Sequence, residues 1–134
     1  MKLIKRLKRF FCGVSMHDVY IKQVQFTAAA DGDDYLYDEQ LDPAKILVIT
    51  NLSATWSAMA TSEQAHFFVE VGGTRMFLGE DVPFDTGGYP HWSGKIAIGE
   101  GCRIGVYCPD IETGDRVSLF IFGELWDRED WMQK

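Results

Sequence analysis

The run His66-Phe67-Phe68-Val69-Glu70-Val71, the pair Gly72-Gly73 and the run Thr74-Arg75-Met76-Phe77-Leu78 together decide the fold. Two β-rich segments separated by two glycines predict a hairpin, because a tight turn matched to strand twist needs positive φ, and glycine supplies it without steric cost. Upstream, Lys45-Ile46-Leu47-Val48-Ile49-Thr50-Asn51-Leu52 is a β-branched run, apolar on both faces, which predicts a central strand. Further back the period is again two: Tyr20, Val24, Phe26 and Ala28 share one face, and Ile21, Gln23, Gln25 and Thr27 the other. Downstream, residues 95–98 lead through Gly99-Glu100-Gly101 into Cys102-Arg103-Ile104-Gly105-Val106-Tyr107-Cys108. A last strand is expected over 116–125, with Val117, Leu119 and Ile121 opposite Ser118, Phe120 and Phe122.

The segments between these runs read as connections. Ala28-Ala29-Ala30 and Asp31-Gly32-Asp33-Asp34 predict an exposed loop, and residues 53–64 a linker with a short helical turn around Trp56. Residues 79–93, with Pro83, Gly87, Gly88 and Pro90, predict a long loop displaying Tyr89, His91 and Trp92. The tail from 126 to 134 predicts one helical turn. Seven or eight short strands, with turn signals at intervals of roughly 8–15 residues and no βαβ alternation, predict an all-β antiparallel sandwich, of jelly-roll or Greek-key type.

Residues 1–15 are set apart as an arm and residues 16–134 as the sandwich domain. Lys2, Lys5, Arg6, Lys8 and Arg9 crowd the start, whereas the remainder holds eight Lys and Arg against twenty Asp and Glu. On a helix, at about 100° per residue, Leu3, Ile4, Leu7, Phe10, Phe11 and Val14 fall within an arc of ~120° with the cations opposite. Such a helix, roughly 20 Å long, is marginal alone in water and needs a surface to fold against. That surface would be a partner, a membrane interface or the acidic domain itself.

The net charge of −7 argues against nucleic-acid binding by the domain, which would require phosphate neutralisation. Three cysteines, Cys12, Cys102 and Cys108, are too few and too odd in number for a disulfide scaffold, which predicts reduced thiols and synthesis in a reducing cytoplasm. Cys102 and Cys108, six apart on one strand, would sit roughly 20 Å from each other and cannot pair there. They are expected to act as small core hydrophobes. No run reaches the about 18 apolar residues of a bilayer span, and the basic start lacks the apolar core of roughly 7–15 residues that a secretory signal needs.

No catalytic constellation is legible, and no metal ligand set or cofactor is expected. Asp31, Asp33, Asp34, Asp38 and Glu39 could gather oxygens for calcium, but Tyr35 and Leu36 break the EF-hand spacing, and a solvated acidic loop is the expectation. His17, His66 and His91 are scattered without a Cys-x-x-Cys partner. There is no G-x-S-x-G elbow and no glycine-rich loop opening a helix. What remains are aromatics. Tyr89, His91 and Trp92, with Trp56, Trp126 and Trp131, would serve either as a sugar-stacking platform or as protein contacts. Phe120 and Phe122, on the second face of an already apolar strand, call for cover by a neighbour.

The C-terminal third, Ile96-Ala97-Ile98-Gly99-Glu100-Gly101-Cys102-Arg103-Ile104-Gly105-Val106 and then Ile111-Glu112-Thr113-Gly114-Asp115-Arg116-Val117-Ser118-Leu119-Phe120-Ile121-Phe122-Gly123, resembles small β-sandwich virion proteins of bacteriophages. The resemblance covers about 30 residues and rests on turn chemistry and alternation. It implies a non-enzymatic structural role, as a capsid decoration protein or minor head or tail component localised to the virion. The expected partners are a major capsid or other virion protein and lattice neighbours or further copies of the chain, with no small-molecule substrate. Contact would run through Leu3, Ile4, Lys5, Arg6, Leu7, Lys8, Arg9, Phe10 and Phe11 of the arm, and through Phe120 and Phe122. Lipid and nucleic acid are lesser candidates for the arm. A carbohydrate-binding module and a peripheral membrane protein are the competing readings.

Overall fold

Gly72 (φ 56°) and Gly73 (φ 83°) make the turn that the hairpin requires, and the two runs beside them pair from Phe68 with Phe77 to Val71 with Thr74. The structure, a computed structural model, describes residues 17–57, 64–79, 82–83 and 90–133. The arm expected over 1–15, from Leu3 to Phe11 and Val14, lies outside the described residues, and so does Tyr89. In chain order the elements are β1 (His17–Thr27), β2 (Gly32–Tyr37), β3 (Lys45–Trp56), β4 (Gln64–Val71), β5 (Thr74–Phe77), β6 (Val82–Pro83), β7 (His91–Ile98), β8 (Arg103–Ile111), β9 (Arg116–Asp127) and the short helix α1 (Arg128–Met132).

All strand pairs are antiparallel and fall into two sheets. The first has the order β1-β9-β3-β7; the second has β2-β8-β4-β5, with β6 added to the start of β4. Alternate residues of both sheets meet between them. Leu47, Ile49, Leu52 and Ala54 of β3 and Val117, Leu119 and Ile121 of β9 face Phe67 and Val69 of β4 and Ile104, Val106 and Cys108 of β8, all buried in one core. The architecture is therefore a two-sheet antiparallel sandwich.

β3 keeps its apolar residues inward by a bulge. Ile49 pairs with Gly123 and Asn51 with Phe122, so Thr50 is the extra residue. Leu47 and Ile49 differ in parity from Leu52, Ala54 and Trp56, and an unbulged strand would send one group to solvent. Gly123 sits opposite the bulge because a Cβ there would collide with the Val48 carbonyl oxygen.

Four connections differ from expectation. β3 runs on to Trp56, whose buried indole donates Nε1–H to Asp115 Oδ2 at 3.0 Å, so this residue ends a strand and does not sit in a helical turn. β7 begins at His91, so the long loop ends earlier than expected. β9 extends to Asp127, which buries Trp126 in the sheet. Asp33 and Asp34 belong to β2, because their neighbours' demands are met across the sandwich end: Asp31 Oδ1 accepts from both the Thr113 N–H and hydroxyl at 2.8 Å, and Asp33 Oδ1 accepts from the Asp110 N–H at 3.1 Å. The tail helix, α1, is present as expected.

Candidate functional site

The outward face of the second sheet is built from alternating residues of its four strands. Tyr35, Tyr107 and His66 form one cross-strand row; Tyr37, Gly105, Phe68 and Phe77 form the next; Arg103, Glu70 and Arg75 form the third. Cross-strand neighbours of this kind sit about 5 Å apart, close enough for every ring to touch the next. Tyr35 stacks on Tyr107 with centroids 4.7 Å apart, and His66 tilts against Tyr107 at 5.4 Å. Phe68 meets Tyr37 edge-on at 5.3 Å, Phe77 at 5.6 Å and Tyr35 at 6.0 Å.

Gly105 is the reason Phe68 can lie there. A Cβ on Gly105 would run into the Phe68 ring and into the Leu36 carbonyl oxygen, so the ring covers a strand position that has no side chain. Phe68 is fully buried although it faces outward, because the surrounding rings enclose it and Arg75 lies 6.0 Å above it. Phe77, by contrast, is 51% exposed, and Met76 and Val71 nearby are also exposed.

Two arginines complete the face. The Arg75 guanidinium lies 3.7 Å over the Tyr35 ring, and its Nε–H donates to the Tyr37 hydroxyl at 2.7 Å. Arg103 lies 4.0 Å over Tyr37, and its Nη2 donates to both oxygens of Glu70, at 2.8 and 3.0 Å. The hydrogen bond from Arg103 holds the Glu70 carboxyl below its ordinary pKa. At the opposite corner the hydrogen bond to Asp33, with burial adding to it, raises the Tyr107 phenol above its ordinary value. Tyr35 is thus held between Arg75 and Tyr107, which lie too close to share one side of the ring. A sugar stacking on Tyr35 would have to displace one of them, so the geometry suits protein contact better than a glycan platform.

The residues singled out from the sequence fall elsewhere. His91 and Trp92 are adjacent in β7 and point to opposite faces: His91 is exposed opposite Ser53, whereas Trp92 pairs with Leu52 and packs on the core. They cannot form one ligand surface, because strand neighbours alternate. Trp92 lies along its strand over Gly94, where a Cβ would come within 2.6 Å of the ring. Trp126 is buried on the outer side of the first sheet, against His17 at 5.0 Å and Trp131 at 5.4 Å. Phe120 and Phe122 do face outward on that sheet, half-buried, in rows with Gln23 and Ile21 of β1. Ile21 and Val19 beside them are 69% and 79% exposed.

The sequence signal for the ring face is present in Tyr35-Leu36-Tyr37 and in His66-Phe67-Phe68, where large apolar or aromatic residues at both parities mean that one set must face out. Sequence reasoning misses Tyr35, Tyr37, His66, Phe68, Arg75, Phe77 and Tyr107 as a site, because the acidic start of β2, Gly32 to Asp34, reads as loop and hides the strand that carries the two tyrosines.

At one end of the sandwich a cleft of about 240 Å³ reaches the core beside Leu47, Ile98, Cys102 and Ile104. Lys22 closes it, bonded to Asp38 at 2.9 Å and Glu39 at 3.0 Å. Burial opposes the Lys22 charge, but the two carboxylates outweigh it and raise its pKa. An inward-facing charge on an outer strand also discourages strand addition. Cys102 and Cys108 are buried free thiols. Among the described residues no three His, Cys, Asp or Glu side chains come together as a metal site, and no helix is long and apolar enough to cross a membrane. The chain matches no protein-family model and no curated protein.

Proposed function

We propose that this chain is a non-enzymatic attachment protein, a jelly-roll component of a viral particle that docks on a neighbouring shell protein through the ring face of its second sheet, with the basic arm as a second tether. The single observation that carries the reading is that face: nine side chains, six of them aromatic rings, drawn from all four strands and held in fixed mutual contact. Tyr and Arg are among the residues that dominate binding energy at protein interfaces, Phe is enriched in them, and pre-packed rings lose little freedom when a partner covers them. The jelly-roll reading is supported by the strand order, β1-β9-β3-β7 facing β2-β8-β4-β5, in which the chain alternates between sheets as a rolled double Greek key does. The phage resemblance of residues 96–123 points the same way. Half-buried Phe120 and Phe122 with exposed Val19 and Ile21 offer a second apolar face for lattice neighbours or further copies of the chain.

The test is co-expression with the structural genes of the genome that encodes the chain, followed by sedimentation of the particles. Phe77→Ala and His66→Ala together are expected to remove the chain from particles; the lost ring contacts lower the urea midpoint, but the two-sheet core is untouched and the domain stays folded. Deletion of residues 1–14 is expected to weaken attachment and leave the domain folded. Undiminished incorporation of the Phe77→Ala/His66→Ala variant would overturn the docking face.

A further inference from the structure

Most cations of this acidic domain that the structure pairs are held by carboxylates. Lys22, Lys45, Arg103 and Arg128 each have an Asp or Glu oxygen within 3.4 Å. Arg75 is held differently. Glu70 stands directly across from it in the register, but both Glu70 oxygens accept from Arg103. Arg75 therefore rests on the Tyr35 ring at 3.7 Å, gives its Nε–H to Tyr37, and keeps two terminal amino groups with no acceptor among the described residues. It is exposed, in the middle of the aromatic face.

We infer that Arg75 is a receptor for one carboxylate, an Asp or Glu side chain of the partner polypeptide, and that it sets which partner the ring face accepts. This rests on the docking reading above. The stacking and the Tyr37 bond fix the guanidinium plane, so the two terminal amino groups that no described residue accepts from are presented without the ordering cost a flexible arginine would incur. A planar fork matches a carboxylate with two parallel hydrogen bonds. The surroundings select a single charge: Asp33 and Asp110 by Tyr107, and Glu70 beside Arg103, repel a polyanion such as a phosphodiester chain. Exposed Phe77, which touches the Phe68 ring lying 6.0 Å from the guanidinium, and half-buried His66 against Phe77 fit an aromatic or apolar residue close to the acid.

The experiment titrates the ¹⁵N-labelled full chain with a capped Phe-Asp-Phe tripeptide, following the Arg75 Nε–H resonance and the backbone amides of Phe77 and Tyr107. Phe-Asn-Phe, inorganic phosphate and glucuronate are run in parallel. The acidic peptide is expected to shift these resonances with a Kd on the order of 1 mM, a normal strength for so small a fragment. Arg75→Gln and Arg75→Lys should each weaken it about tenfold, the lysine because it keeps the charge and loses the fork. Tyr37→Phe, which removes one oxygen and leaves the ring, should weaken it about threefold and guards against a folding defect in the arginine variants. Equal binding of Phe-Asn-Phe, an equal response to phosphate or glucuronate, no shift at all, or a dimer of this chain that Arg75→Gln dissolves would each overturn the inference. Particle attachment lost in Phe77→Ala/His66→Ala but kept in Arg75→Gln would overturn it too and leave the docking face standing; attachment kept in both removes the docking face itself.

Discussion

Alanine at position 105 would place a methyl group where the Phe68 ring and the Leu36 carbonyl oxygen already are. Phe68 has no exposed surface and is enclosed by Tyr35, Tyr37 and Phe77, so its ring cannot yield without separating them. Two limits bound the cost. Overpacking that the neighbours absorb costs about 1–3 kcal/mol. Complete expulsion of the ring forfeits what a buried Phe→Ala change loses, about 3–5 kcal/mol. The Leu36 oxygen, 2.6 Å from the new methyl, is backbone fixed by the pairing of β2 with β8, so some strand displacement is added. Gly105→Ala is therefore expected to destabilise by about 3 kcal/mol, near where the two ranges meet. Phe68→Ala alone should cost about 3–5 kcal/mol, and in the double variant the methyl enters the vacated space. Only the Leu36 contact then remains, so the double loss should fall short of the sum by about 1–2 kcal/mol. Urea unfolding of the four proteins, followed by tryptophan fluorescence, measures the cycle. Additive losses, or Gly105→Ala within about 0.5 kcal/mol of the parent, would refute the argument that Phe68 packs in the space that glycine leaves.

Deleting Thr50 removes the bulge and forces either Leu47 and Ile49 or Leu52, Ala54 and Trp56 out of the core; the loss exceeds the roughly 5–15 kcal/mol a domain has in hand, so amide dispersion in ¹H–¹⁵N spectra should collapse. In acid, stability should fall as the pH drops through the lowered folded pKa values of Asp31 and Glu70. Both carboxyls lie below their ordinary values of 3.8 and 4.5 when folded, the first through the Thr113 bonds and the second through Arg103. The unfolded chain therefore takes up protons first, and the contribution is complete only above those ordinary values. Asp31→Asn and Glu70→Gln should each flatten the acid limb of urea midpoint against pH. With Cys12 changed to Ser, Cys102 and Cys108 should resist a water-soluble thiol reagent in the native state and react fully in denaturant, since both are buried.

Much of the fold was legible because strand alternation and turn chemistry are local. Gly72-Gly73 announced the hairpin, and Val117, Leu119 and Ile121 announced the core face of β9, where the structure buries all three. The misreadings had one origin: a polar residue is tolerated in a strand when something distant satisfies it. Asp33 and Asp34 looked like loop until the Asp110 amide and the Thr113 bonds to neighbouring Asp31 were in view. Trp56 looked like linker until Asp115, 59 residues away, received its indole N–H. The candidate site suffered more. His91 and Trp92 read as a pair because they are adjacent, and strand geometry separates adjacent residues by a whole sheet.

By itself the sequence determined the class of structure, an antiparallel sandwich of strands that alternate between two faces, because burial with a period of two is written residue by residue. It also determined the electrical division between a basic start and an acidic remainder, since charge is a property of composition. Only the tertiary structure decided which outward residues stand together. Tyr35, His66, Arg75 and Tyr107 come from four strands spread over 73 positions, and it is the register of β2 on β8, β8 on β4 and β4 on β5 that makes them neighbours. The Gly72-Gly73 turn sets the pairing of β4 with β5, but the registers of β2 on β8 and β8 on β4 depend on hydrogen bonds between distant segments, and no local pattern carries that information.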